Sequence, residues 1–171
     1  MVEDLLRLLD VRLLAAPDLH RLLLQGAGPG EGDLPREVVV HLEGTLLKPN
    51  FVINGKDAPE QASVEDVARY TIECFMRSVP AAVPGIVLLS GGQSGEDATA
   101  HLNAMNQMYD TLPWEISFSW ARALQQKPME IWGGEEENVE EAQKVFHHRA
   151  RMASAARSGN YSREMEQEQA A

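Results

Sequence analysis

From about Val38 onward, the hydrophobic and polar positions alternate between short apolar runs and longer stretches with helical spacing. The apolar runs predict three strands, which lie in VVVHLEGTLLK (38–48), GIVLL (85–89) and EISFS (115–119). Stretches with helical spacing follow these runs and open at SVED (63–66), after SGGQS (90–94), at WARALQQ (120–126) and after Gly133–Gly134. Strands that alternate with helices along a chain predict an α/β fold with a parallel sheet.

Two of these helices carry the same start signal, in which a serine is followed three residues later by an aspartate. Ser63 and Asp66 open the first helix, and Ser94 and Asp97 open the second. In such a capping box the serine side chain accepts a hydrogen bond from a backbone N–H of the first turn. Both helix starts are therefore predicted from local sequence alone.

Residues 1–37 follow a different pattern from the rest of the chain. EDLLRLLDVRLLAAPDLHRLLLQ is rich in leucine at helical spacing, and Pro17 should break or kink the predicted helix. GAGPGEGD follows and is typical of a flexible connector. The sequence thus predicts an atypical helical segment and connector over 1–37, an α/β unit over 38–163 and a polar C-terminal tail over 164–171.

The composition is that of a globular protein, with 171 residues, 44% hydrophobic and 24% charged. The formal net charge of −11 argues against broad nucleic-acid binding, although it leaves room for a small basic site. No apolar run approaches the roughly 20 residues of a membrane span, and acids stand where a signal peptide carries positive charge. Cys74 is the only cysteine, so no internal disulfide can form. We therefore expect a cytoplasmic protein without a membrane or nucleic-acid partner.

No group of residues predicts a bound metal or cofactor. His147 and His148 are neighbours on the predicted last helix, where consecutive side chains point roughly 100° apart. They are therefore a poor metal pair, and the HHRAR stretch is more typical of a solvated helix end.

Lys48 ends the first apolar run, directly before Pro49. Burial disfavours the charged form of an amine, and the neutral amine can attack a carbonyl. The resulting iminium withdraws electrons from an adjacent carbon–carbon bond. The alternative is a lysine at the rim of the sheet, in water.

Two further polar groups follow the next two predicted strands. In SGGQS, the glycines let the backbone approach a ligand closely, and successive N–H groups can bind an anion. In SFSWAR, Ser119 ends a strand and Arg122 follows, and an arginine is suited to binding a phosphate through two hydrogen bonds. The alternatives are an ordinary tight turn and a surface arginine. TIM barrels often bind phosphate in the loops after their last two strands, so the three groups together predict a site for a phosphorylated carbonyl compound.

The motifs LEGTLLKPN, LLSGGQS, LNAMN, PWEISFSWARALQ and WGG resemble the C-terminal part of class I fructose-bisphosphate aldolases, the Schiff-base type. The resemblance covers about residues 38–163. It implies parallel βα units equivalent to the last three strands of a TIM (β/α)8 barrel, and so an incomplete barrel. It also implies that Lys48 is the Schiff-base lysine and that a substrate phosphate is held by Ser90, Gly91, Gly92, Ser119 and Arg122. The family's reaction is the reversible cleavage of fructose 1,6-bisphosphate to dihydroxyacetone phosphate and glyceraldehyde 3-phosphate, without a metal.

The chain departs from the family's pattern in two respects. Family members usually have Phe or Tyr and then Gly before the arginine, where this chain has Trp120 and Ala121. An alanine would be strained there if the position needs a positive φ. The family's first five strands supply further lysines, an acidic residue and the glutamate that acts as acid and base, and no such motif occurs in residues 1–37. Glu43 is a poor substitute, because an odd offset from Lys48 along a strand favours the opposite face.

Two other functions stay open at this point. A non-catalytic partial barrel would be a gene fragment, a pseudo-enzyme or an assembly partner, because open sheet edges and apolar faces invite association, including a homo-oligomer. The leucine-rich N-terminal helix could cover one such face. Another Schiff-base aldolase or a transaldolase is the third alternative, which the LEGTLLKPN and SGGQS motifs disfavour.

Overall fold

The computed structural model describes residues 12–13, 41–109 and 111–170. Its strands are β1 (Arg12–Leu13), β2 (Leu46–Lys48), β3 (Gly85–Leu88) and β4 (Glu115–Phe118). Its α-helices are α1 (Val64–Ser78), α2 (Gly95–Met108), α3 (Arg122–Trp132) and α4 (Val139–Arg157). Short 3-10 helices span Leu42–Gly44, Glu136–Asn138 and Arg163–Ala170.

The strands form one sheet in the order β1-β2-β3-β4. β2, β3 and β4 are parallel and alternate with helices, which confirms the predicted α/β class and fits part of a TIM barrel. Leu47 pairs with Ile86, and Ile86 pairs with Ile116. Ile86 is fully buried and Ile116 is 3% exposed, so this row of the sheet lies in the hydrophobic core. The core fills the space between this face of the sheet and the helices.

α1 and α2 begin where the sequence predicts them to begin, whereas α3 and α4 begin later than predicted, at Arg122 and Val139. Ser63 accepts a hydrogen bond from the backbone N–H of Asp66 at 3.1 Å, and Ser94 accepts one from Asp97 at 3.0 Å. The buried face of α1 follows the predicted 3.6-residue spacing, with buried residues Val67, Ala68, Thr71, Ile72 and Phe75. Both capping boxes are confirmed.

The prediction of one strand over 38–48 is wrong in part. Within the described residues 41–48, the strand is limited to Leu46–Lys48, and Leu42–Gly44 forms a 3-10 helix instead. The backbone N–H and Oγ1 of Thr45 both donate to the carbonyl of Leu42, at 3.0 and 2.8 Å, and close a tight turn. This local hydrogen bonding competes with strand pairing, as threonine side chains often do. Residues 38–40 lie outside the described residues.

The prediction of a helix in the N-terminal segment is wrong at Arg12–Leu13, the two residues of that segment that the structure describes. Arg12–Leu13 forms a short strand, antiparallel to β2, with Arg12 opposite Lys48. The edge of β2 offers unpaired backbone groups, and pairing with them satisfies donors and acceptors that a helix would satisfy internally. The remainder of the predicted helix and its connector lie outside the described residues.

The C-terminal end of the described chain packs against α2 and α4. Glu166, in the last 3-10 helix, accepts a hydrogen bond from Arg149 at 2.5 Å and another from the Tyr161 hydroxyl at 2.9 Å. The Arg149 side chain is 6% exposed and also donates to Thr99 at 3.3 Å. Because breaking a buried ion pair leaves an uncompensated charge, this contact holds the C-terminal segment in place.

Candidate functional site

The three loops that the sequence singles out begin side by side at one edge of the sheet. The N–H of Leu89 donates to the carbonyl of Pro49 at 2.9 Å, and the N–H of Ser119 donates to the carbonyl of Leu88 at 2.9 Å. Pairing therefore continues past the carboxyl ends of β2, β3 and β4. In parallel α/β folds this is the edge at which functional groups gather.

Lys48 lies on the face of the sheet opposite the helices. The register places it beside Val87, which pairs with Ser117. Side chains alternate along a strand, so these three residues share a face, and Ser119 returns to it two residues after Ser117. All four residues are half-buried, in contrast to the fully buried Ile86 on the other face. Ser117 was not predicted as a site residue, because its place on the same face as Lys48, one strand beyond Val87, depends on the pairing register.

The glycine loop after β3, residues 90–94, packs against the loop that follows Lys48. Gly91 has φ 60° and Gly92 has φ 83°. A Cβ added to Gly91 would lie 2.0 Å from Oδ1 of Asn50, two residues beyond Lys48. Gln93 closes the turn, because its backbone N–H donates to the carbonyl of Ser90 at 3.0 Å. The structure thus brings the loop that follows Lys48 into direct contact with the glycine loop, which the sequence predicts to bind phosphate.

Asn50 is a residue that the sequence argument missed. Its Oδ1 is buried and has no hydrogen-bond partner among the described residues. Its position directly after Lys48-Pro49 was a usable signal, since it belongs to the KPN part of the motif. An oxygen that is left unpaired beside both loops is able to accept a hydrogen bond from a ligand.

Arg122 is the first residue of α3 and is exposed. The first turn of α3 carries no acidic residue, and no side chain caps it. A cation at a helix N-terminus opposes the helix dipole, whereas a bound anion there interacts favourably with both. Ala121 has φ −89°, so the strain that a positive φ would have caused does not arise.

The family model described as fructose-bisphosphate aldolase class-I matches residues 35–171. The chain belongs to the class I fructose-bisphosphate aldolase family. The cytosolic fructose-bisphosphate aldolase 4 of Arabidopsis thaliana is 52% identical over 122 residues, which are 71% of this chain and 31% of that protein. The aldolase of Dictyostelium discoideum is 50% identical over 123 residues, 72% of this chain and 34% of that protein.

The solved structures include a family member with the same fold. The aldolase of Plasmodium falciparum, in a complex with TRAP and a small-molecule inhibitor, has a TM-score of 0.69 and 43% identity. The match covers 72% of this chain and 35% of that one. The family and the fold predicted from the motifs are thus confirmed, and the chain spans about a third of the length of these relatives.

In this aldolase-family chain, the glycine loop also borders a cavity, which we call the α2 cleft. It has a volume of about 700 Å³ and lies beside the start of α2. Gly91 and Gly92 line it, together with Lys56 and Arg163, whereas Lys48, Ser90, Ser119 and Arg122 do not. The two glycines therefore separate the strand edge from the α2 cleft.

Three polar groups, on α2 and in the segment after α4, have shifted pKa values. Burial lowers the pKa of His101, whose Nδ1 lies 2.5 Å from Oε1 of Gln93. Burial would raise the pKa of Glu166, but the hydrogen bond and charge of Arg149 outweigh it, and that pKa is lowered. Burial and the hydrogen bond to Glu166 raise the pKa of Tyr161. None of these three groups lies on β2, β3 or β4, and the contacts of Glu166 with Arg149 and Tyr161 stabilise the fold.

The remaining sequence candidates lie apart from the strand edge. Glu43 is exposed in the 3-10 helix Leu42–Gly44 and is not part of the strand that carries Lys48. On α4, His147 is exposed while His148 is 8% exposed. In the described part of the chain, no group of three or more histidine, cysteine or acidic residues is placed to hold a metal. No helix in the same part is long and apolar enough to cross a membrane.

Proposed function

We propose that the edge formed by the carboxyl ends of β2, β3 and β4 carries out Schiff-base aldol chemistry on a phosphorylated sugar. The reaction is the reversible cleavage of fructose 1,6-bisphosphate to dihydroxyacetone phosphate and glyceraldehyde 3-phosphate. The observation that carries the proposal is that three neighbouring parallel strands have paired carboxyl ends. Lys48, the glycine loop and Ser119 lie at these three ends. Membership of the aldolase family supports the same reaction.

In the proposed mechanism, the amine of Lys48 attacks the ketone carbon of the sugar, and water leaves to form an iminium. When the C3–C4 bond breaks, its electron pair moves to the iminium nitrogen and gives an enamine, while the C4 hydroxyl loses its proton to a base. Protonation of the enamine carbon and hydrolysis release dihydroxyacetone phosphate and regenerate the amine. No metal is required, because the protonated imine is the electron acceptor.

We assign the substrate phosphate to the loops next to Lys48. Arg122 contributes a guanidinium that binds two phosphate oxygens, and Ser90 and Ser119 contribute hydroxyl donors. Gly91 and Gly92 let backbone N–H groups approach the phosphate. The positive φ of both glycines and the uncapped start of α3 support this assignment.

The names of the relatives support a proposal about where the protein is located in the cell. Aldolases from Arabidopsis thaliana and Pisum sativum are named as cytosolic or cytoplasmic. We propose the same location for this chain, with a phosphorylated sugar as partner and neither nucleic acid nor membrane. A homo-oligomer is part of the proposal, because exposed apolar side chains such as Met129, at 57%, and Leu46, at 50%, favour association.

Borohydride trapping tests the chemistry. The protein is mixed with dihydroxyacetone phosphate and reduced, and the intact mass is measured. We expect one covalent adduct on the natural chain and none on Lys48→Ala. Lys127→Ala is the matched control, because Lys127 is an exposed lysine on α3, and it should form the adduct normally. An adduct that persists in Lys48→Ala would contradict the assignment.

The second candidate function is a catalytically impaired partial barrel that binds a phosphosugar or assembles with another chain. One edge of β4 is favourable for assembly with another chain, since β4 pairs only with β3 among the described strands. Unpaired strand edges accept strands from other chains. A folded chain that forms no adduct, and that sedimentation shows to be an oligomer, would favour this function over aldol cleavage. A monomer would count against the assembly role.

A further inference from the structure

The α2 cleft is lined by parts of the chain that are far apart in sequence. The loop after β2 contributes Lys56, the glycine loop contributes Gly92, and the last 3-10 helix contributes Arg163. Its volume of about 700 Å³ falls within the roughly 300–1,000 Å³ of small-molecule sites. The cleft is therefore large enough to bury a small organic ligand.

Two cations line the cleft, Lys56 and Arg163. The Nζ of Lys56 lies 3.7 Å from the position that a Cβ on Gly92 would occupy. The side chain is exposed and forms no ion pair within the described residues. Arg163 lines the cleft with a side chain that is 64% exposed. Both groups have donors available for a ligand.

Among the described residues, one carboxylate lines the cleft, that of Asp97, and it already has partners on both oxygens. Oδ1 of Asp97 lies 3.2 Å from Nη2 of Arg163, and Oδ2 accepts from the hydroxyl of Ser94 at 2.8 Å. His101, the other titratable group in the lining, has a lowered pKa because it is buried. The lining thus carries two positive charges against one negative charge, in a chain whose formal net charge is −11.

Part of the lining is apolar. It is formed by Ile53, which is half-buried, and by Val64 and Val67 at the start of α1. Val67 is 3% exposed, so this part of the lining is continuous with the core. A ligand that matches the cleft therefore has an anionic end and an apolar body.

We propose that the α2 cleft binds a small organic phosphate, with the phosphate between Lys56 and Arg163 and the carbon skeleton on Ile53 and Val64. A phosphate dianion suits two cations better than a single-charge anion does. The cleft shares Gly91 and Gly92 with the strand edge but is not lined by Lys48, Ser119 or Arg122, and the proposal does not depend on Schiff-base formation by Lys48. The ligand proposed for the α2 cleft and the substrate proposed for the strand edge have only the phosphate group in common.

Titration with phenyl phosphate tests the proposal, with inorganic phosphate and phenol as the two partial ligands. Binding is followed by NMR of the methyl groups of Ile53, Val64 and Val67, because a phenyl ring beside them shifts their resonances. We expect phenyl phosphate to shift these methyls and to bind more tightly than either partial ligand. If phenyl phosphate leaves the methyls unshifted, the proposal is overturned.

Substitutions separate the cleft from the strand edge. Lys56→Gln should weaken phenyl phosphate binding about tenfold, since a hydrogen bond to a charged group is lost. Arg163→Gln should weaken it similarly, and Lys127→Gln should leave it unchanged. The Lys48→Ala and Arg122→Gln variants should bind phenyl phosphate in the α2 cleft as tightly as the natural chain does. This holds even if Lys48→Ala forms no Schiff base and Arg122→Gln loses the contact with the substrate phosphate. Binding that survives the Lys56→Gln, Arg163→Gln double substitution, or that requires Arg122, would place the ligand elsewhere and refute the proposal.

Discussion

Gly91 shows how a single residue links two loops of the site. Its φ of 60° lies in the left-handed region, and the Asn50 side chain fills the space that a Cβ would occupy. The sequence predicted that the glycines and the lysine contribute to one site. It could not predict the contact with Asn50, because that contact joins residues 41 positions apart through the pairing of β2 with β3.

Gly91→Ala should destabilise the protein more than Gly92→Ala does. Both substitutions place a side chain at a positive φ, which costs about 1–2 kcal/mol. Only Gly91→Ala also brings a Cβ within 2.0 Å of Asn50, whereas the nearest atom to a Cβ on Gly92 is 3.7 Å away and belongs to the flexible Lys56. Urea unfolding measures the free energies. Equal losses would show that Asn50 moves away at no cost.

His101 should make stability depend on pH. Burial lowers its pKa below the ordinary 6.5, so the unfolded chain binds a proton more readily than the folded chain. Its contribution to stability is therefore present above about pH 6.5 and is lost as the pH falls through the folded pKa. The His101→Gln variant should show a smaller loss of unfolding free energy between about pH 8 and about pH 5. Parallel curves for the variant and the natural chain would exclude this role.

The elements were predictable to the extent that their signals are local. Each capping box involves residues within one helical turn, and both capping boxes were predicted correctly. The strand at 38–48 was predicted too long, because the turn closed by Thr45 replaces strand pairing. The pairing of Arg12–Leu13 with β2 had no local signal, since strand partners are chosen across the sheet.

The cap at Ser63 should contribute measurably to stability. Ser63→Ala removes the acceptor for the N–H of Asp66 and should lower the free energy of unfolding by about 1 kcal/mol. Ser154→Ala, at an exposed position within α4, is the control and should change it by less than about 0.5 kcal/mol. Thermal and urea unfolding of the two variants compare them directly. A Ser63→Ala variant as stable as the control would mean that solvent replaces the cap.

At the scale of the whole molecule, the candidate site exists only because the sheet is parallel. Lys48, Ser90 and Ser119 come from three separate βα units, and the order β2-β3-β4 brings their strand ends together. This arrangement was predictable, since alternating strands and helices imply a parallel sheet and its carboxyl edge. The α2 cleft was not predictable, because it needs the C-terminal segment to fold back and place Arg163 beside α2.

The measurement that tests the account most directly asks whether Lys48 and Arg122 act on the same ligand. Borohydride trapping is repeated over a range of concentrations with dihydroxyacetone phosphate and with dihydroxyacetone, on the natural chain and on Arg122→Gln. If Arg122 binds the phosphate, the variant should need about tenfold more dihydroxyacetone phosphate for half-maximal trapping, with no change for dihydroxyacetone. An equal change for both ketones, or none for either, would show that Arg122 does not bind the phosphate of the ketone that reacts with Lys48.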